Sequence, residues 1–251
     1  MTSGAVVLNA HEVRKRFGAT VALNGASLRV AAGECVALVG ESGSGKSTLL
    51  RTFNRLVVAD AGTVEIDGTA AADLEIVPLR RRIGYVPQDG GLLPHWSVRR
   101  NAAMVPWLNG RADANALADA ALGLVGLDAA TFGDRAPASL SGGQRQRAAM
   151  ARAVAAGPRV ILLDEPFGAL DAITRADLQQ MFLALRRSRQ MTAVLVTHDL
   201  HEAFVLADRV AVMRAGVIDQ VAAPRDLLAT PMTGYVTDLL RRARAREDWL
   251  S

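Results

Sequence analysis

Three short apolar runs punctuate the chain: Cys35 to Val39, Val160 to Leu163 and Ala193 to Val196. Each gives way to polar residues or a glycine, and then to apolar positions at helical spacing. Continuous apolar runs of this length predict strands buried on both faces, as in a parallel sheet joined by helices. Before Cys35 the pattern alternates between polar and apolar, with turn signals at Phe17-Gly18 and Asn24-Gly25, so Val6 to Val30 predicts an antiparallel β layer. From about Gly90 to Gly133 the chain is rich in alanine and leucine and offers no strand, which predicts a small helical lobe. Arg241 to Arg246, with Glu247, Asp248, Trp249 and Leu250, predicts a mainly basic, solvated terminal helix. The expected fold class is α/β, with a mostly parallel core sheet, an antiparallel β layer and an inserted helical subdomain. Sites are expected at the carboxyl ends of the strands. One domain is expected over 1–251, with its core in about 6–88 and 158–236, the helical part in about 89–157, and a tail over 237–251.

Composition narrows the setting. Half of the 251 residues are hydrophobic, enough to bury a substantial core. No apolar stretch reaches the roughly 18 residues that crossing a bilayer requires. Met1 to Gly4 carry no basic cluster leading into an apolar run, so no secretory signal is expected and the cytoplasm is the expected compartment. The lone Cys35 agrees with a reducing compartment and is expected in the core. The net charge of +4 is spread over arginines interleaved with acids, the pattern of a solvated surface, and no nucleic-acid partner is expected. Of 29 basic residues only Lys15 and Lys46 are lysines. A chain that otherwise uses arginine invites a chemical reason for Lys46, whereas chance composition can account for Lys15.

That chemical reason lies in Gly40-Glu41-Ser42-Gly43-Ser44-Gly45-Lys46-Ser47, which fits the phosphate-loop pattern GxxxxGK[ST] directly after an apolar strand. Glycines let backbone N–H groups turn onto phosphates, and a following helix aims its positive end at them. Leu49, Leu50, Phe53, Leu56 and Val57 give that helix one face to bury. Lys46 is expected to reach the β- and γ-phosphates of ATP, and Ser47 to bind Mg²⁺. The run Val160 to Leu163 ends in Asp164 and Glu165. Delivered beside Ser47, Asp164 would hold the Mg²⁺, and Glu165 could polarise a water near the γ-phosphate. Leu140-Ser141-Gly142-Gly143-Gln144 opens a long helix that stops at Gly157-Pro158. Ser141 suits the N-cap, while two successive glycines allow close approach to an anion.

The phosphate loop, LSGGQ and the Asp164-Glu165 strand resemble the ABC (ATP-binding cassette) family in identity, order and spacing, over about residues 8 to 236. The resemblance implies a P-loop NTPase fold of the ABC type and a dimer of ATPase subunits sandwiching two ATP molecules. Each phosphate loop, here Gly40 to Thr48, would then face the partner's Ser141, Gly142, Gly143 and Gln144. It further implies that Gln88 touches Mg²⁺ and the attacking water and that Asp171, in Gly168-Ala169-Leu170-Asp171, lies in a loop crossing the dimer interface. His198 would contact the γ-phosphate, and Phe17 would stack on adenine. A zinc site at His198-Asp199-Leu200-His201-Glu202 competes poorly, because Asp199 and Glu202 have N-cap and N3 spacing.

A short gap between the phosphate loop and LSGGQ, and a single cassette, separate this chain from the coiled-coil and tandem-cassette branches that act on nucleic acid or in translation. An importer ATPase at the cytoplasmic face of the membrane is implied, working with separate permease subunits and an extracytoplasmic substrate-binding protein. Phe53 to Val57, Leu79 to Val86, Gly91 to His95 and Phe167 to Arg175 resemble the importers of glycine betaine, choline, carnitine and proline. Pro87 departs from the aliphatic residue usual in that branch. Importers of amino acids or sulfonates remain the alternative, and a non-transport ABC ATPase acting on nucleic acid is the more distant one.

Overall fold

The computed structural model describes residues 6–168 and 170–247. In chain order these form β1 (Val6–Phe17), β2 (Thr20–Ala31), β3 (Cys35–Val39), α1 (Lys46–Thr52), β4 (Ala61–Ile66), β5 (Thr69–Ala70), α2 (Ile76–Arg82) and β6 (Ile83–Val86). There follow α3 (Val98–Ala102), α4 (Met104–Leu108), α5 (Ala114–Leu124), α6 (Ala129–Phe132), α7 (Gly142–Val154), β7 (Val160–Asp164) and α8 (Ala172–Arg189). The chain closes with β8 (Thr192–Val196), α9 (Leu200–Leu206), β9 (Arg209–Arg214), β10 (Val217–Ala222), α10 (Pro224–Ala229) and α11 (Gly234–Glu247). Two compact units result, one drawn from both ends of the chain and the other spanning 77–191.

In the first unit, β3 lies between β8 and β9, parallel to both, and β10 closes the edge antiparallel to β9. All five residues of β3 and of β8 are buried, as their apolar runs require. One side is covered by α9, α10 and α11, which bring Leu200, Ala203, Leu227, Val236 and Leu240 onto Ala37, Val39, Val210 and Val212. The terminal helix starts at Gly234, ahead of the basic run, and its first turns anchor in the core, while Arg241 and Arg242 are exposed as expected of that run. Asp248, Trp249 and Leu250 lie outside the described residues. The antiparallel layer forms as expected from β1 and β2 around a turn at Gly18, and is joined by β4 and β5.

Asn24-Gly25 makes no turn. It lies within β2, where the register shift against Val13 and Arg14 marks a bulge and Gly25 takes φ +91°. The tertiary pairing of the two long strands outweighs the local Asn-Gly preference. Helix α1 likewise ends sooner than its apolar spacing suggests. Leu49, Leu50 and Phe53 are fully buried, but Arg55 turns left-handed (φ +54°) and leaves Leu56 exposed.

In the second unit, β6 and β7 pair in parallel. The expected helical lobe is present as α3 to α6, ahead of the long α7. Helix α7 turns Ala148, Ala149, Met150, Ala151, Ala153 and Val154 inward. Its small side chains let β6 approach so closely that a Cβ on Gly84 would meet the Ala153 carbonyl at 2.6 Å. Helix α8 is anchored by Phe182, fully buried and edge-on to Phe167 at 6.3 Å between ring centroids. Replacing Phe182 by alanine would empty this contact. The expected loss is about 3–5 kcal/mol, read as a lower unfolding midpoint in urea.

Candidate functional site

The first unit carries the phosphate loop. It leaves β3 at Gly40, whose φ is +146°, and enters α1 through Gly45 at φ +102°. A side chain is excluded at both by packing: a Cβ would meet the Met213 carbonyl at 2.1 Å from Gly40, and the Ala22 carbonyl at 2.4 Å from Gly45. Gly43, at φ +78°, faces open space and is glycine for conformation alone. The loop is tied to the β9–β10 turn, where the Gly216 N–H donates to the Ser44 carbonyl at 3.0 Å. Lys46 is only 6% exposed. Its Nζ donates to the Gly40 and Glu41 carbonyls, each at 2.9 Å, and to Ser44 Oγ at 3.4 Å. An open glycine turn beside a cation gripped by the loop's own oxygens suits an anionic phosphate chain. Ser42, Ser47 and Thr48 complete the segment, and the phosphate-loop serine and lysine are the groups that Mg²⁺ and the β/γ-phosphates call for.

Phe17 stands at the end of β1 with 52% of its surface exposed, a ring available for stacking. Lys15, in the same strand, is largely withdrawn from solvent. Its side chain is 17% exposed, and its Nζ pairs with Asp60 Oδ1 at 2.6 Å and sits 5.4 Å from the Phe17 ring centroid. The Lys15 bond, followed by the Arg16 N–H, holds the Asp60 carboxyl below its usual range. Lys15 thus belongs to the setting of Phe17, not to bulk solvent. His198 is exposed two residues past the end of β8, after buried Thr197. Asp199 caps α9 by accepting the Glu202 N–H at 3.2 Å, which accounts for the acid beside the histidine.

The second unit carries the acidic strand end, the glutamine and the signature helix. Asp164 is the last residue of β7 and is 1% exposed. Glu165 follows in a left-handed conformation, φ +49°. Such a conformation costs a non-glycine residue about 1–3 kcal/mol and is concentrated at working sites. Its effect here is to bring Glu165 Oε2 within 3.2 Å of Gln88 Nε2, which donates to it. Two residues 77 apart in sequence, each expected from the sequence to meet the attacking water, are thereby joined.

Ser141 caps α7 in a reciprocal capping box: the Gln144 N–H donates to Ser141 Oγ at 3.2 Å and the Ser141 N–H to Gln144 Oε1 at 3.0 Å. The two glycines between them differ. A Cβ on Gly143 would lie 2.2 Å from Thr174 Cγ2, whereas one on Gly142 would meet nothing nearer than Leu170 Cδ2 at 3.7 Å. Packing explains Gly143, and no contact among the described residues requires Gly142. Asp171 caps α8 by accepting the Thr174 N–H at 3.0 Å, and the Thr174 N–H, then its side chain, holds the Asp171 carboxyl below the usual range. Ala169, in the same loop, lies outside the described residues.

Three supporting residues escape motif-based inspection. Arg152 of α7 reaches the carbonyls of Gly90 and Gly91, and burial lowers its guanidinium's pKa while Asp89 and Tyr85 oppose the shift. Gln146 Nε2 donates to the Gln88 carbonyl at 3.5 Å. Asn101, fully buried, accepts the Leu93 N–H at 2.7 Å and donates to the carbonyls of Leu93, Trp96 and Ser97. The helix that begins at LSGGQ thus also holds the segment after Gln88. The available signal was a lone arginine among the small apolar residues of Ala148 to Val154.

The chain belongs to the ABC transporter family, whose profile matches residues 23–168. It is 44% identical over 233 residues to the glycine betaine uptake system ATP-binding protein YehX of Escherichia coli, covering 92% of this chain and 75% of that protein. It is 42% identical over 243 residues to the choline transport ATP-binding protein OpuBA of Bacillus subtilis, covering 95% of this chain but only 63% of the relative. A sulfate/thiosulfate import ATP-binding protein, CysA of Nocardia farcinica, is 46% identical over 229 residues, covering 90% and 68%. Among solved structures, a dimeric ATP-binding cassette in a post-hydrolysis state with ADP and Pi superposes with a TM-score of 0.79 at 32% identity, covering 87% of this chain and 99% of that one.

The contrast between the two signature glycines predicts opposite effects on stability. Gly143→Ala should lose about 1–3 kcal/mol through overpacking against Thr174. Gly142→Ala should be neutral, or gain up to about 1 kcal/mol from the lower entropy of alanine in a helix. Thermal denaturation of the two purified variants checks the ordering.

Proposed function

We propose that this chain is the ATP-hydrolysing motor subunit of a membrane importer, converting ATP and water to ADP and phosphate to drive uptake through separate permease subunits. The observation that carries the catalytic part is the Gln88–Glu165 hydrogen bond beside buried Asp164. In this scheme Phe17 stacks on adenine, Lys46 and the loop from Gly40 to Thr48 bind the phosphates, and His198 contacts the γ-phosphate. Ser47, Gln88 and Asp164 would hold Mg²⁺, which would supply positive charge to neutralise the phosphate oxygens. Glu165 takes the proton of the attacking water while Gln88 orients that water.

Two such subunits share two sites. Ser141 to Gln144 of one chain contact ATP held by the other, and Asp171 lies in the loop that meets the partner. The dimeric state of the matched solved cassette supports this arrangement, as does a Gly142 that packing among the described residues leaves unexplained. The subunit works peripherally at the cytoplasmic face of the membrane, with the segment from Gln88 to Val98 receiving the permease. An extracytoplasmic binding protein delivers the solute.

The solute is a quaternary amine or related osmoprotectant. Similarity to glycine betaine and choline transport proteins over more than nine-tenths of the chain supports this class. Comparable identity to a sulfate/thiosulfate protein makes an oxyanion importer the second reading.

Glu165→Gln should retain ATP binding and lose about 10²–10⁴-fold in turnover, as removal of a general base does; a wild-type rate in the assembled transporter would reject its role. Reconstitution with the permease and binding protein encoded beside it separates the solutes. ATPase activity should rise with glycine betaine, choline, carnitine or proline. Stimulation only by sulfate, thiosulfate, amino acids or sulfonates would reject the osmoprotectant class and leave the motor intact.

A further inference from the structure

The terminal helix α11 touches the phosphate loop as well as the core. Tyr235, in its first turn, accepts the Glu41 N–H on its hydroxyl at 3.2 Å. That N–H belongs to the same peptide group as the Gly40 carbonyl, to which Lys46 Nζ donates at 2.9 Å. A trans peptide is planar and points its carbonyl and its N–H in opposite directions. The Gly40–Glu41 peptide is therefore held from both sides, by the lysine on one and by the tyrosine on the other. Hydrogen bonds linked in series through one amide also polarise each other, so that the carbonyl offered to Lys46 is strengthened by the bond at the far end.

The tyrosine itself is fixed. Its neighbour Val236 is fully buried and Leu240, one turn on, is 6% exposed, both in the cluster beneath β3 and β9. The Arg214 guanidinium lies 5.0 Å from the Tyr235 ring centroid. Arg214 directly follows Met213, whose carbonyl excludes a side chain from Gly40. Arg242, two turns further along α11, pairs with the Glu41 carboxylate at 3.5 Å. That pair is exposed on both sides and adds little. Glu41, Arg214, Tyr235, Asp238, Leu239 and Arg242 border a cleft of about 280 Å³ between helix and loop.

We infer that Tyr235 is a positioning residue for nucleotide binding: it pins the Gly40–Glu41 peptide plane and thereby fixes Lys46. This rests on the ATP-binding role proposed above and adds the terminal helix to the machinery. No part of the phosphate-loop motif encodes it, because the residue lies 194 positions from Glu41. Without the hydroxyl, the peptide is free to rotate and the ammonium loses a fixed acceptor.

The test measures affinity for a fluorescent ATP analogue, and thermal stability, in the full chain carrying Tyr235→Phe or Val236→Ala. Loss of one neutral hydrogen bond corresponds to about a threefold to tenfold weakening. Tyr235→Phe should weaken binding by that factor with a melting temperature close to that of the parent. Val236→Ala, which removes core packing from the same helix without touching the loop, should lower the melting temperature while leaving affinity within about twofold. Unchanged affinity in Tyr235→Phe would overturn the inference, as would affinity and stability falling in parallel in both variants. Failure of the unmodified chain to bind the analogue would instead overturn the ATP-binding role on which the inference rests.

Discussion

A cation withdrawn from water is costly unless oxygens replace its hydration shell. Lys46, 6% exposed, meets this requirement with the Gly40 and Glu41 carbonyls and Ser44 Oγ. Three oxygens can converge on one ammonium only if the chain curls tightly between β3 and α1. The curl in turn needs positive φ at Gly40, Gly43 and Gly45. It also presses the backbone against β9 and β2, so the strands behind the loop are part of the same constraint. The β9–β10 turn ties down Ser44, and α11 ties down Glu41. A loop with no regular structure of its own is thereby anchored along its length.

The second unit sets two carboxylates side by side at the end of a strand. Asp164 is buried at the end of a fully buried strand, and Glu165 is swung out of the strand direction by a left-handed backbone. Gln88 meets it because β6 and β7 are parallel neighbours, so both strands end at the same edge. Arg152, Gln146 and Asn101 then fasten the residues after Gln88 to α7 and α3. Helix α7 begins at the signature motif. The signature motif and the segment after Gln88 are therefore attached to one and the same helix.

Much of this was legible in the sequence. The three apolar runs mark β3, β7 and β8 to within a residue, because a strand buried on both faces has no freedom to vary its pattern. The phosphate loop and the signature helix were equally legible, since φ > 0 and N-capping restrict residue type locally. The family resemblance was carried by the same motifs, and the family match bears it out. Determinants of this kind depend on a residue's own backbone or on neighbours within one turn, so sequence alone fixes them.

Tertiary structure decided the rest, wherever the partner is distant. Asn24-Gly25 has the local chemistry of a turn, yet pairing with β1 draws it into a strand as a bulge. Gly142 and Gly143 are identical neighbours, and only the approach of Thr174 distinguishes them. Lys15 resembles any exposed lysine until Asp60, 45 residues away, folds against it. Tyr235 has no motif at all, because its importance arises from one hydrogen bond across 194 residues of chain. Sequence specifies what a residue can do, and packing specifies which atoms it meets. Contacts formed between segments far apart leave no periodicity from which they could have been read.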